Sequence, residues 1–371
     1  MGSPAQGGGV TSQLKMAPGL APVIRGSGSD PIHRRPMPDQ AMLLDQTSIS
    51  AEGGNGALGC SSDSYTLFQE PWWLDAVAPG EWDEVVVKRG GQVAARLPFV
   101  RKRKFGSVFL TQPRLTPSLG PWLRVSSAKR TNRLAEEKEL MQELIAALPH
   151  FDLFRQTFAP QITNWLPFCW RGFSQTTRYT YRLSGLADQE GVWEGLRDST
   201  RREIRKARNI VAVREDLDID CFARIWSLTF SRQGAHLPVS IELLHRIDAA
   251  CESRRCRRMF FAEDARGRVH AAAYILWNAD CAYYLMGGGD PELRNSGAGS
   301  LVMWEAIKFA STVCGLFDFE GSMLEPVERF FRSFGGEPVA LFSITKQSRR
   351  LRFAMGLYHA GSALLGHDPV I

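Results

Sequence analysis

The sequence predicts an α/β protein made of two similar modules in tandem, each with a mixed sheet. Three observations predict it. The chain has 371 residues, 44% of them hydrophobic and 23% charged, enough for two domains of ordinary size and composition. Strand-like and helix-like stretches alternate instead of segregating, which favours mixed sheets covered by helices. One order of elements (helix, three strands, loop, helix, strand) occurs twice, as duplication would leave it.

Residues 1 to about 62 are rich in Gly, Pro, Ser and Gln without apolar periodicity. They are expected to be a disordered leader, with Met42 as an alternative start. The first module is expected over 63–178. Pro71 opens a short helix through Val77, since proline suits a first turn. Glu84–Lys88 and Gln92–Phe99 are expected as strands around Arg89-Gly90-Gly91, with a third strand at Ser107–Leu110. Leu134, Leu140, Leu144 and Ile145 are spaced for a helix over about 129–148, and Phe151–Phe154 is expected as a buried strand. The basic run Arg101–Lys104 is expected to protect a strand edge.

The second module is expected over 179–346, with helices at about 192–208, 220–233 and 240–253. A hairpin follows, Met259–Glu263 and Val269–Trp277, then a strand Cys281–Met286 running into a Gly-rich loop. A helix at about 299–314 and a strand Phe317–Glu320 close the repeat. Residues 347–371 contain Arg349–Tyr358, a basic amphipathic stretch suited to peripheral membrane contact.

Composition narrows the function classes. The net charge of +6 could attract tRNA, a nucleotide-bearing donor or an anionic surface. The seven cysteines, at 60, 169, 221, 251, 256, 281 and 314, form no C-x-x-C, so reduced thiols, no metal and a cytoplasmic setting are expected. His236, His245, His270 and His359 show no ligand-like pairing. No stretch approaches 18 consecutive apolar residues, so no transmembrane helix is expected.

Three motifs carry chemistry. Arg294-Asn295-Ser296-Gly297-Ala298-Gly299 fits R-x-x-G-x-G between a strand and a helix. Glycines there let the backbone approach a phosphate, and the helix N-terminus turns its N–H groups toward it. Phe317-Asp318-Phe319-Glu320-Gly321-Ser322 precedes Val327–Gly336, a helix ending in Phe331-Arg332-Ser333-Phe334-Gly335-Gly336. Ser199–Ala207 is a basic helix containing Arg201, Arg202, Arg205 and Lys206. In that order and spacing the three resemble Fem-type (FemAB-like) and BioF2-like acyltransferases of the GNAT superfamily. The resemblance covers about 65–346 and is strongest from 192 onward.

The resemblance implies two tandem GNAT-like (acyl-CoA N-acyltransferase) modules and transfer of an acyl group, acetyl-like, to an amine. It implies acyl-CoA as co-substrate, or aminoacyl-tRNA with tRNA as partner, and no tightly bound cofactor. R-x-x-G-x-G leans toward acyl-CoA, held by Arg294, Gly297, Ala298 and Gly299, with the strand end Leu285, Met286 and Gly287 polarising the acyl carbonyl. Where the family has lysine, this chain has Arg332, which keeps the charge but cannot donate a proton.

Asp318 and Glu320 are expected on one strand face, either of them able to orient or deprotonate the amine. Of Tyr283 and Tyr284 one is expected to face the site, and Tyr284 is the candidate acid for the leaving group. Arg201, Arg202, Arg205 and Lys206 are the candidate clamp for a phosphate-bearing acceptor or an RNA arm. A non-catalytic module that kept the fold, and an RNA-binding protein, are the rival classes. No base-reading motif is present, and DNA is not an expected partner.

Overall fold

The computed structural model describes residues 65–231, 237–321 and 323–353. The expected leader, and the tail beyond Phe353, lie outside the described residues. In the first half, α1 (Pro71–Val77) leads to β1 (Trp82–Arg89), β2 (Gln92–Lys104) and β3 (Ser107–Thr111). A short β4 (Trp122–Leu123), α2 (Arg130–Ala147), β5 (Leu153–Thr157), α3 (Leu166–Trp170) and β6 (Ser174–Ser184) follow. The second half runs α4 (Gln189–Gly195), α5 (Asp198–Arg208), β7 (Val211–Arg214), α6 (Ile219–Ser231), α7 (Ile241–Ser253), β8 (Arg257–Asp264), β9 (Val269–Trp277) and β10 (Ala282–Gly289). It ends with α8 (Ala298–Ala310), β11 (Leu316–Asp318), α9 (Glu325–Arg332) and β12 (Glu337–Gln347).

The strands form one sheet in the order β1-β2-β3-β5-β12-β6-β11-β10-β9-β8-β7, with β4 beside β2. Each module contributes a meander whose last strand pairs in parallel with the strand after its long helix. These parallel pairs are β3 with β5 and β10 with β11. At the centre the modules exchange ends. β12 lies against β5 of the first module, β6 lies against β11 of the second, and β6 and β12 pair along their lengths. The expected boundary at 178/179 therefore falls inside β6.

Side-chain alternation fixes which face each core takes. Trp73 and Leu74 of α1 are buried together with Phe222 and Trp226 of α6 and Ile247 of α7, so the first module's opening helix is built into the second module's core. On the other face Ile204 of α5, Leu301 and Trp304 of α8, and Phe331 and Phe334 form a second core. The first module's own core joins Leu144 of α2 and Phe154 of β5 to Ile344 of β12.

Two expectations need correcting. The helix expected over 192–208 is two, because Leu196 is extended and the Arg197 N–H donates to the Ser333 carbonyl at 2.9 Å instead of continuing the helix. Gly288 and Gly289, expected in a loop, belong to β10. A Cβ on Gly288 would collide with the Thr229 hydroxyl and lie 3.2 Å from the Trp226 Cα, so glycine here lets α6 press on the strand. Arg101–Lys104 pair with β3 on one side and run past the end of β1, whose pairing stops at Val100, so the exposed basic run borders an open strand edge.

Because β12 supplies the first module's core while carrying the second module's last strand, the halves should not unfold independently. Ile344→Ala should lower stability by about 2–5 kcal/mol and keep a single transition when tryptophan fluorescence and far-ultraviolet dichroism are followed together in urea. Two separate transitions in the wild-type chain would contradict this topology.

Candidate active site

The site begins where β10 and β11 part. They pair only at Ala282 with Phe317 and Tyr283 with Asp318. Beyond that point β10 keeps one neighbour, β9, and it bulges at Leu285, because Tyr284 pairs with Ile275 and Met286 already with Tyr274. The other edge of Leu285, Met286 and Gly287 borders a cavity of about 660 Å³. Backbone N–H groups without a strand partner beside a cavity can bind an oxyanion.

β11 ends because Glu320 and Gly321 both adopt the left-handed conformation, with φ of 60° and 50°. For glutamate this costs about 1–2 kcal/mol, so something must hold it. Asp318 does. Its Oδ1 accepts the Glu320 N–H at 2.9 Å and the Thr180 hydroxyl, and its Oδ2 accepts Arg182 Nε at 2.7 Å. Gly321 lies flat on β6, where any Cβ would collide with the Tyr179 carbonyl and the Thr180 Cα. Asp318 is thus fully engaged as the anchor of the turn, which leaves it poorly placed to collect a proton.

Glu320 lines both the cavity at the strand edge and a second, polar cavity of about 410 Å³. Its pKa is pushed well above the ordinary 4.5, first by burial and then by the negative charge of Asp318, with Arg182 opposing. A carboxyl tuned upward in this way suits a proton acceptor working near neutral pH. Tyr283 and Tyr284 both face cavities. Tyr283 borders the polar one and Tyr284 the one at the strand edge. Burial raises the Tyr284 hydroxyl above its ordinary value, so it remains protonated, and its ring meets Phe331 edge-on at 5.8 Å.

A third cavity, about 300 Å³, shares Tyr284 and Phe330 with the strand-edge cavity and contains Gly288, Arg294, Ala298 and Gly299. Thus the first turn of α8, the exposed Arg294 and the open strand edge lie along adjoining cavities. The first-turn N–H groups of a helix lack intrahelical acceptors, so this end suits an anion. The two glycines divide the work. Gly299 has no neighbour within 4 Å of a Cβ position. Gly297, at φ 79°, has the Glu203 carbonyl 2.6 Å from where a Cβ would stand and does not border the cavity. It fits α8 against α5, while its neighbours Ala298 and Gly299 border the cavity.

The other expected residues lie outside the cavities described here. Arg332 is exposed on α9 and pairs with Glu328 at 2.8 Å, and that carboxylate also accepts the Tyr181 hydroxyl at 2.6 Å. On α5, Arg201 is held by Asp198 and the Glu194 carbonyl, and Lys206 donates to the Asn295 carbonyl at 2.6 Å. Arg205 stacks on Trp193 at 5.6 Å, and Arg202 is exposed. The basic face thus braces the loop before α8 more than it lines a pocket. Sequence reasoning missed Arg155, Arg178 and Arg182 of the polar cavity. The only available signal was their alternation with other residues along strands.

Residues 195–322 match the family model described as an acetyltransferase (GNAT) domain. Among solved structures the chain resembles FemX, at 13% identity over 75% of this chain and 92% of that one, with a TM-score of 0.57. It is also similar to a tandem GNAT protein from the clavulanic acid biosynthesis pathway (13% identity, 72% and 82% of the chains, TM-score 0.41). A third match is the C-terminal domain of a putative lysylphosphatidylglycerol synthetase from Agrobacterium fabrum (10% identity, 76% and 88%, TM-score 0.46). Curated protein sequences give no match. Residues 195–322 thus match a GNAT domain, and the likeness to FemX extends to the fold of most of the chain. No helix among the described residues is long and apolar enough to cross a membrane, and no described cluster of His, Cys, Asp and Glu could hold a metal.

The two loop glycines should separate under substitution. Gly297→Val should lower stability by about 2–4 kcal/mol through backbone strain and collision with α5. Gly299→Val should leave the urea midpoint nearly unchanged while narrowing the cavity at α8. Equal losses of stability in the two variants would refute this division.

Proposed function

We propose that the protein transfers an acyl group from a coenzyme A thioester to an amine, with Glu320 as the proton acceptor. The observation that carries the reading is the open edge of β10 at Leu285–Gly287. It lies between the α8 cavity, which suits a diphosphate, and the Glu320 carboxyl. Arg294, Ala298 and Gly299 would take the diphosphate, and the thioester carbonyl would rest against the strand edge.

In this reading the amine nitrogen attacks the carbonyl carbon, a C–N bond forms, and the carbonyl electron pair moves onto oxygen, where edge N–H groups receive it. The ammonium proton passes to the Glu320 carboxylate. The intermediate then collapses, the C–S bond breaks, and its electrons leave on sulfur. Tyr284, kept protonated by burial, hydrogen-bonds the departing thiolate, which takes up the proton from Glu320 through solvent. Direct attack needs no covalent enzyme intermediate. Arg332 has no part in these steps.

Glu320→Gln should lower kcat for acetyl transfer by roughly 100- to 10,000-fold while acetyl-CoA still binds. In the wild type the rate should rise with pH as Glu320 loses its proton, with the midpoint above the ordinary 4.5. Stability should run the other way. The folded state binds the Glu320 proton more tightly than the unfolded chain, so between 4.5 and the raised folded value wild-type stability falls relative to Glu320→Gln as pH rises. A rate profile shared by the variant would exclude Glu320 as the base.

The donor is settled by calorimetry against acetyl-CoA, longer acyl-CoAs and aminoacyl-tRNA. The reading expects saturable acyl-CoA binding that Gly299→Trp abolishes. Binding of aminoacyl-tRNA alone would move the protein to aminoacyl transfer, and binding of neither donor would favour a fold retained without its chemistry.

A further inference from the structure

The polar cavity has an origin in strand register. Side chains of paired residues share a sheet face. Arg155 on β5 is paired with Thr345, Thr157 with Ser343, and Ser343 in turn with Thr176 on β6. Along β6, Arg178 pairs with Leu341, while Arg182 pairs with both Glu337 and Asp318. One face of the four central strands thus presents three arginines, and the cavity opens over them where the two modules meet. The three do not have equal duties. Arg182 is committed to Asp318 at 2.7 Å. Arg155 and Arg178 are exposed to the cavity, and among the described residues neither has a hydrogen bond or ion pair.

The cavity's carboxylates do not balance this charge. Asp318 is consumed by Arg182, which leaves the single Glu320 carboxyl against Arg155 and Arg178. Two positive side chains thus face a cavity whose lining also includes the amide and hydroxyl groups of Gln112, Thr157 and Ser343. A guanidinium so placed favours carboxylate or phosphate oxygens, which match its planar fork.

Position sets the scale. Gly321, next to Glu320, lies on the Tyr179 carbonyl and the Thr180 Cα. Arg178 is two residues along β6 from Thr180, about 7 Å at the rise of a strand. An anion on Arg178 is therefore separated from the Glu320 carboxyl by the span of a small molecule.

We propose that Arg178, assisted by Arg155, binds an oxyanion of the acceptor, so that the acceptor class is small amines carrying a carboxylate or phosphate a few bonds from the nitrogen. This rests on the reading that the amine is delivered to Glu320. It adds which amines are taken.

Two matched pairs of amines test it: phosphoethanolamine against ethanolamine, and β-alanine against β-alaninamide. Calorimetry on the full chain should show the anionic member of a pair binding at least about 10-fold tighter, and Arg178→Gln or Arg155→Gln should weaken it about 10- to 100-fold. The neutral members and acetyl-CoA should be unaffected by these variants. In acetyl transfer followed by thiol release, Arg178→Gln should raise KM for the anionic amine with little change in kcat. The pair with the larger discrimination identifies phosphate or carboxylate as the recognised group. Equal binding of charged and neutral members, or anion binding that survives both substitutions, overturns the proposal. Binding and transfer are read separately. Anion binding that depends on Arg178 without transfer would uphold the subsite and count against acyl transfer, whereas transfer without anion preference would do the opposite.

Discussion

The Asp318 carboxylate and the Arg182 guanidinium, 2.7 Å apart at the centre of the sheet, hold the arrangement on which the rest depends. Asp318 is the last residue of β11 to pair with β10, and Arg182 belongs to β6, the strand that crosses between the modules. Two buried charges alone would contribute little, since desolvation offsets most of their attraction. Here the carboxylate also accepts the Thr180 hydroxyl and the Glu320 N–H, so its lone pairs are used and removing any partner would strand a buried charge. The same contacts that end β11 therefore impose the left-handed turn at Glu320 and Gly321. That turn both opens the edge of β10 and aims Glu320 at it.

Duplication explains why such a junction exists and why only one of its two copies is open. β3 and β5 repeat the parallel pair of β10 and β11, and Thr111 beside Arg155 corresponds to Tyr283 beside Asp318. In the first module the chain returns and closes the gap. The Leu119 N–H donates to Thr157 at 2.7 Å, and Leu119 accepts from Ala159 at 3.1 Å. Gly120 rests on Phe158, and the Gln156 side chain ties the Gly120 N–H to the Pro98 carbonyl. A filled split stabilises, whereas an open one leaves backbone groups for a ligand. The first module thus serves as a wall, and it contributes Arg155 to the polar cavity at the position where the second module has its anchor.

How much of this was legible in the sequence follows from the range of the interactions involved. Local periodicity located α1, α2 and the β8–β9 hairpin within a residue or two, and the start though not the end of α8, because each buries one face and the pattern shows it. β6 and β12 went unrecognised as the centre of the sheet, since their exposed residues follow the cavity and the exchange between modules. The motif Arg294–Gly299 lies beside a cavity, yet the reason for Gly297 is a carbonyl of α5 about ninety residues earlier in the chain, beyond any local rule. Charge was the least legible property. The run on α5 and Arg332 stood out in the sequence but are tied up in protein contacts, whereas Arg155 and Arg178, isolated in theirs, face the cavity.

The contrast between Asp318 and Glu320 shows how two like residues separated by one phenylalanine acquire opposite tasks. On a regular strand both would share a face and compete for the same cation. The left-handed turn breaks that equivalence, because it leaves Asp318 surrounded by donors and carries Glu320 away from them to a cavity wall. Burial, and after it the negative charge of Asp318, raise the pKa of the second. Burial is the larger cause, and without Asp318 it would raise Glu320 less. The anchor of the fold is in this way also the electrostatic tuner of its neighbour, which couples the shape of the split to the proton affinity at its mouth.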